Sequence, residues 1–456
     1  MKIFSGGLLL LLSLGAHSGT SPEVLVLTGA TVLPGTGGPP LPSAAVVIRG
    51  DRIADVGPAD RTFVPEGARV VDLSGRWLVP GLIDAHVHFF QSGGLYTRPD
   101  VIDLRAVRPY AGELAGLRKR LPATLARYVA CGITSVLDTG GPLWTFELRR
   151  TAAGRELAPR VAVAGPLLSS FVPRELVTTD PPNVLVRSAR EARKVVRTQL
   201  ARRPDVLKLW LVRWSGTPEE VAWVRAAVEE SHAAGVRVAV HATELETART
   251  AVETGADLLV HSVEDEPVDE GFLAALRRRK VVYIPTLAVN EGYDEVLGGA
   301  VRLSDFEKRF GDPQVISTWS DLPKLRPRRA RRAPRDRAQA IRFENLRRVH
   351  AAGVTVAAGS DAGNIGTLHG PGLHRELELM REAGLSPAEV LLAATRGGAA
   401  ALGREDVGTI EAGKLADLLV LDADPRKDVG NLHRIHRVVK GGRVFDPEEV
   451  RKGIAR

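Results

Sequence analysis

The run Trp77-Leu-Val-Pro-Gly-Leu-Ile-Asp-Ala-His-Val-His88 constrains this chain more than any other, because an apolar stretch ends in two histidines one residue apart. Successive strand residues point to opposite faces, so His86 and His88 on a strand aim both imidazoles the same way. Such a pair at a strand end is half of a metal chelate and requires partners from neighbouring strands.

Candidate partners recur along the chain. Strand-like runs ending in a ligand-type group are Asp205 to Leu211, which carries Lys208, Val236 to His241, Asp257 to His261 and Val354 to Asp361. Alternation puts Leu207, Leu209 and Leu211 on one face and Lys208 on the other. By the same count Val236, Val238 and Val240, then Leu258 and Val260, oppose His241 and His261. In the last run Val354, Val356 and Ala358 oppose Thr355, Ala357, Gly359 and Asp361. Helical stretches separate these runs. Thr217 to Ala234 opens on Thr-Pro-Glu-Glu, with Thr217 at the N-cap position and Gly235 as a stop, and others cover about Thr243 to Glu253, Asp269 to Arg279 and Arg337 to Ala352. With Gly132 to Asp138, Arg160 to Gly165 and Val281 to Pro285, eight strands alternate with helices. The expected fold class is α/β. An open doubly wound sheet shares this local pattern, but ligands converging from several strands favour a (β/α)8 TIM barrel with its site at the strand carboxyl ends.

These residues resemble the amidohydrolase superfamily, in its prolidase-like group often labelled imidazolonepropionase-like, over nearly everything after the first twenty residues. The matching features are His86-Val-His88, Lys208 in a Lys-Leu-Trp strand, His241, His261 and Gly359-Ser-Asp361, supported by Pro285-Thr-Leu287, Leu373 to Gly384 and Gly413 to Val420. The resemblance implies two divalent metals. It puts His86, His88 and Asp361 on one, His241 and His261 on the other, and a carboxylated Lys208 between them. It also implies a compact β-sandwich beside the barrel.

Chemistry accounts for those residue types. A lysine ammonium between apolar strands and near cations is disfavoured, so Lys208 should lose its proton and combine with carbon dioxide as an anionic bridge. Two cations sharing one water lower its pKa enough to supply hydroxide near neutral pH, and one polarises the scissile carbonyl. Asp361 takes the proton during attack and returns it to the leaving amine. Zinc suits the imidazole and carboxylate set, although manganese, iron and cobalt also bind such ligands.

The rest of the chain sets the frame. At 456 residues and 44% hydrophobic, it can hold one large barrel and a smaller domain. The expected division is a signal peptide over 1–18, a β-sandwich over 19–79 and 405–456, and a barrel over 80–404. Strands are expected at Val24 to Leu33, Ala45 to Ile53, Leu415 to Leu421 and Arg437 to Val444. Lys2, the apolar run Gly7 to Leu14 and Ala16-His-Ser18 read as a secretory signal, so the expected location is periplasmic or extracellular, with no membrane anchor after cleavage. Cys131 is the only cysteine, which excludes an intrachain disulfide. The net charge of +8 is concentrated in Lys324 to Arg337; without interleaved aromatics it reads as a solvated or subunit-contacting segment rather than a nucleic-acid surface, in an expected homo-oligomer. The insertion Asn290 to Arg335 is too long for an ordinary connection and reads as a lid or an oligomer contact.

Loops at the barrel mouth choose the substrate. Trp210, Arg213 and Trp214 follow strand four, Tyr293 follows strand seven, and His369 follows strand eight. Tyr293 and His369 join Asp361 as catalytic candidates, Tyr293 at the carbonyl oxygen, while Arg213 suits a substrate carboxylate. The leading expectation is a secreted amidohydrolase acting on a dipeptide or N-acyl amino acid. Alternatives are imidazolonepropionase or another cyclic amide or lactone hydrolase, and last an inactive binding or scaffold barrel.

Overall fold

Between Leu82 and Ile284, runs of Val and Leu too short for helices pair side by side and in the same direction. The computed structural model describes residues 24–325 and 335–454. The expected signal segment and Arg326 to Arg332 of the basic run lie outside them, and no helix among the described residues is long and apolar enough to cross a membrane.

One parallel sheet has the order Asn183–Leu185, Leu167–Ser169, Val206–Trp210, Arg237–His241, Leu258–Val260, Val282–Ile284. A second joins Leu82–Val87, Ile133–Asp138 and Arg160–Val163, also in parallel. The segment after the helix Arg335–Ala351 links them. On one side Tyr283 N donates to Thr355 O and Ala357 N to Tyr283 O, each at 2.9 Å. On the other, Asp361 N donates to His86 O at 2.7 Å and His88 N to Ala362 O at 2.8 Å. Asp205, just before the inner strand Val206–Trp210, donates its N–H to Val163 O at 2.9 Å, a further link between the two sheets. The chain is therefore α/β with parallel sheets whose edges are tied to each other.

The expected last strand forms isolated bridges instead of a continuous ladder, Tyr283 with Val356 and Val87 with Ala362. The cause is local. Gly359 passes so close to the first strand that a Cβ there would lie 2.8 Å from His86 Cβ, and Asp361 has φ 58°. The two short strands Leu167–Ser169 and Asn183–Leu185 carry too few residues to show a period in the sequence.

Alternation holds for most of the expected faces. Leu207, Leu209, Val238, Val240, Val354, Val356 and Ala358 pack outward with Trp223 and Val224 of the helix Pro218–Ala233, while Val206, Ala239 and Ala357 face inward. That helix begins as expected, with Thr217 and Glu220 forming a capping box and Pro218 in the first turn. The strand before His261 corrects the expected pattern: Leu258 and Val260 face inward and Leu259 outward. Simple alternation would send His261 outward, but its backbone φ of 76° turns the side chain. In the first strand, a register shift between Asp84 and Val87 likewise interrupts the alternation before the histidine pair.

Strands from both ends of the chain form one eight-stranded sheet, ordered Arg443–Phe445, Ile435–Lys440, Leu418–Leu421, Trp77–Pro80, Val24–Val32, Leu41–Arg49, Arg52–Pro58, with Arg69–Asp72 also on Val24–Val32. The expected single strand Ala45 to Ile53 is thus the turn of a hairpin, reversed at Gly50, φ 61°. The apolar run beginning at Trp77 changes sheets at Gly81, whose N–H donates to Asp417 O at 2.8 Å. Asp417 also accepts two bonds from Arg160, at 2.6 and 3.1 Å, which ties this sheet to the parallel strands.

The insertion after Val282–Ile284 is mostly helical, with Leu287–Gly298, Asp305–Phe310, Pro313–Trp319 and Leu322–Leu325. Val289, Tyr293, Val315 and Trp319 pack on Leu95, Tyr96, Ile365 and Leu368, so it lies over the loops that follow the strand Leu82–Val87 and the last parallel segment. Three glycines let those loops touch backbone to backbone. Gly93 N donates to Gly363 O at 2.7 Å, and Gly366 N to Gly93 O at 3.0 Å. A Cβ on Gly366, φ 86°, would stand 2.3 Å from Gly292 O. Gly366→Ala should therefore lower stability by about 2–4 kcal/mol, from left-handed strain and backbone overlap together. Urea denaturation checks this as a lower midpoint at unchanged slope; an unchanged midpoint would refute the close crossing.

Candidate metal centre

Three ligand-type atoms from the two strand ends meet at one point. His86 Nε2 and His88 Nε2 are 3.3 Å apart, and Asp361 Oδ1 lies 3.4 Å from the first and 3.3 Å from the second. Tetrahedral coordination at about 2.0–2.1 Å separates neighbouring ligand atoms by about 3.2–3.5 Å. The triad already has that spacing, and the three residues are buried.

The histidines are prepared as neutral ligands. His88 Nδ1 lies 2.7 Å from the carbonyl oxygen of Gly140, which only accepts, so Nδ1 carries the proton and Nε2 offers its lone pair inward. Burial, then the positive field of Lys208, holds His86 well below the ordinary imidazole range. His241 and His261 are also held low, burial being the largest cause in each, and Lys208 acts on both. Their rings are 4.2 Å apart, with His86 5.0 Å from His261. The hydroxyl of Thr286 lies 2.7 Å from His261 Nδ1 and orients that ring. Lys208 sits among them, 1% exposed, and its Nζ has no hydrogen-bond partner. Desolvation pushes its pKa down to about 7, against the pull of Asp361. A buried amine without a partner, amid neutral imidazoles and one carboxylate, is a poor protein interior and a good metal pocket. The donor set fits divalent ions: His86, His88 and Asp361 for one, and His241 and His261 beside it, with Lys208 in the same pocket. These six residues are the ligands expected from the sequence, and the structure brings them together.

Supporting residues were not expected. Asp84, fully buried, accepts from Ser360 Oγ at 2.5 Å and Ser360 N at 2.9 Å, locking the Asp361 segment to the His86 strand. Burial drives its pKa up to about 7. Asp138, raised by burial to about 6, accepts from Phe89 N and Gly140 N and so fixes the carbonyl that orients His88. Glu376 accepts from Ala288 N at 2.7 Å and holds the start of the helix that follows Thr286. Asn364 donates to Asp361 Oδ1 at 2.8 Å. Asp84, Ser360 and Asn364 stand within three residues of expected ligands; Asp138 and Glu376 have no such signal.

The other expected site residues fall differently. Tyr293 does reach this region, but its hydroxyl donates to Asn364 Oδ1 at 2.7 Å, which commits its one proton within the protein. His369 is buried with both ring nitrogens engaged, Nδ1 with Tyr128 Oη and Nε2 with Gln91 O, each at 2.8 Å, and its ring stacks on Phe89. In this geometry it has no nitrogen left for a substrate, and burial holds its pKa near 4. The Arg213 guanidinium lies 4.0 Å over the Phe171 ring at the rim. Trp210 is half-buried beside His241, ring centroids 6.2 Å apart.

The sequence pattern of the Amidohydrolase family matches residues 77–445. The chain is 26% identical over 416 residues to an imidazolonepropionase of Cutibacterium acnes, covering 90% of this chain and 92% of that protein. Among solved structures it is similar to a prolidase complexed with N-methylphosphonate-L-proline, at 25% identity and TM-score 0.71, covering 93% of this chain and all of that one. It is also similar to phenylurea hydrolase B, at 25% identity and TM-score 0.69, covering 93% and 97%.

Lys208 makes stability depend on pH in metal-free protein. Its proton is bound by the unfolded chain below about 10.5 but by the folded chain only below about 7. Its contribution is thus fully present above the unfolded value and is lost as pH falls from about 10.5 to about 7. Urea midpoints of chelator-treated protein in carbonate-free buffer should rise over that window, and Lys208→Met should flatten the rise. Equal slopes in both proteins would contradict a neutral buried amine.

Proposed function

This chain belongs to the amidohydrolase family and is a hydrolase of carbon–nitrogen bonds; from that premise we propose that it cleaves the amide bond of a dipeptide or N-acyl amino acid at a two-metal centre. The observation that carries this reading is the buried, unpartnered Lys208, whose charge acts on His86, His241 and His261 and is drawn by Asp361, so that it shares one pocket with both the triad and the second histidine pair. In the proposal, Lys208 would be carboxylated and would help to hold two divalent ions, zinc suiting the donor set, and the parallel strands are read as a closed (β/α)8 barrel, supported by the hydrogen bonds that tie the sheet edges. Export, read from the first eighteen residues, and assembly into a homo-oligomer belong to the same proposal.

Divalent ions bound there supply a polarised carbonyl and a water of lowered pKa. The protein's own residues do the remainder. Asp361 Oδ1 is held by Asn364 at 2.8 Å, while Oδ2 faces His261 Nδ1 at 3.9 Å. Oδ2 is therefore the oxygen available to take a proton from the attacking water and return it to the leaving amine. Trp210 and Phe171 offer apolar rim surface to the side chain of a substrate, and Arg213, stacked on Phe171, offers its guanidinium edge to a carboxylate. Likeness to a prolidase structure supports a dipeptide substrate.

A second reading, opening of a cyclic amide such as imidazolone propionate, is favoured by the similarity to imidazolonepropionase along most of both chains. Turnover of imidazolone propionate but not of dipeptides or N-acyl amino acids would select it. Under either reading Asp361→Asn should lower kcat by about 10²–10⁴-fold. Under the two-metal reading Lys208→Ala should halve the metal content measured by elemental analysis and abolish turnover. Retained hydrolysis in both folded variants would overturn the proposed mechanism.

A further inference from the structure

We propose that Arg98 is a positioning residue for Asp361, acting at a distance through Asn364 and Tyr293. The proposal rests on the metal-centre reading above. Arg98 lies on the loop after Leu82–Val87, Tyr293 on the helix Leu287–Gly298 and Asn364 on the loop after Asp361. These are the three segments brought backbone to backbone by Gly93, Gly292 and Gly366.

The direction of each hydrogen bond follows from the donor inventory. Arg98 only donates. Its Nη1 donates to Tyr293 Oη at 2.9 Å and to Asn364 Oδ1, so the Asn364 oxygen faces Arg98. Tyr293 Oη donates to the same oxygen at 2.7 Å. The amide nitrogen of Asn364 must then face the other way, and Nδ2 donates to Asp361 Oδ1 at 2.8 Å and to Asp361 O at 3.2 Å. Oδ1 is the carboxylate oxygen of the triad, 3.3–3.4 Å from both histidine nitrogens. One charge thus aligns an amide, and the amide aligns the ligand.

Arg98 has no edge left for a substrate. Its Nε and Nη2 bind both oxygens of Asp100, at 2.8 and 2.6 Å. That carboxylate is 8% exposed and balances the guanidinium, so the pair is stable in place while Nη1 remains directed inward. Two donors on Asn364 Oδ1 polarise the amide and strengthen Nδ2 as a donor. The insertion holds this loop. Leu95 N donates to Thr318 Oγ1, Trp319 Nε1 to Gly93 O and Tyr96 Oη to Asp321, each at 3.0 Å. Its helix Pro313–Trp319 therefore anchors the segment from which Arg98 reaches the centre.

The test measures Zn²⁺ affinity by competition with a chelating dye, without substrate, in wild type, Tyr293→Phe, Asn364→Ala, the double variant and Arg98→Lys. Asn364→Ala should weaken the tighter zinc by about 10–100-fold, as loss of a ligand's outer hydrogen bond does. Tyr293→Phe, which removes one hydroxyl and keeps the ring, should weaken it severalfold. Because Tyr293 acts through Asn364, the double variant should match Asn364→Ala within about twofold. Arg98→Lys should fall between wild type and Asn364→Ala, a lysine restoring the charge but not the fork. Unchanged affinity in Tyr293→Phe, or effects that multiply in the double variant, would overturn the proposal while leaving the metal centre standing. Failure of wild type to bind zinc would overturn both.

Discussion

The bond from Asp361 N–H to His86 carbonyl, 2.7 Å long, is the join on which the rest of the site depends. It joins the last parallel segment to the first, so two stretches of chain far apart in sequence meet backbone to backbone. Asp84 and Ser360 repeat the join with side chains, again across the same two segments. The backbone contact sets the carboxylate beside the histidine pair. The His88 ring is fixed independently from behind, by Gly140 and through it Asp138. Preorganisation of this kind reduces what a bound ion must spend on ordering its ligands.

Electrostatics within the pocket run in one direction. Burial keeps three imidazoles neutral and lowers Lys208, while it raises Asp84. Among the residues of the centre itself, Asp361 is the carboxylate that faces the histidine nitrogens. The interior thereby presents lone pairs and little charge, which suits a cation arriving from water. The ion pair of Arg98 and Asp100 stands beside the centre, and the Arg98 charge adds to burial and Lys208 in holding His241 and His261 low.

The six candidate ligands were legible because the histidines and Asp361 close short apolar runs, where a parallel sheet exposes polar groups, and because Lys208 interrupts the apolar run Val206–Trp210. Helix starts were legible for the same local reason: Thr217, Pro218 and Glu220 satisfy a capping box regardless of tertiary context. What escaped was whatever depends on a departure from regular backbone. Counting by twos sent Leu258 and Val260 to the wrong face, because the left-handed residue at His261 cannot be read from a valine-rich run. Ala45 to Ile53 reads as one strand because Gly50 and Asp51, between Leu41–Arg49 and Arg52–Pro58, make too short a reversal to interrupt the pattern. Tyr293 and His369 were placed near the centre by loop position, but the partners of a side chain depend on contacts with Arg98, Asn364, Tyr128 and Gln91 that sequence spacing does not encode.

The sheet built from both chain ends bears on how the molecule reaches its folded state. Trp77–Pro80 lies between Val24–Val32 and Leu418–Leu421, so one edge of it stays unpaired until residues made hundreds of positions later arrive. Until then an apolar strand with open hydrogen-bonding groups is exposed, a condition that invites pairing with another chain. The order of synthesis therefore opposes early completion of this sheet, and closure of the ends is a late event of high sequence separation. A chain built this way gains from remaining unfolded until its last strand is available.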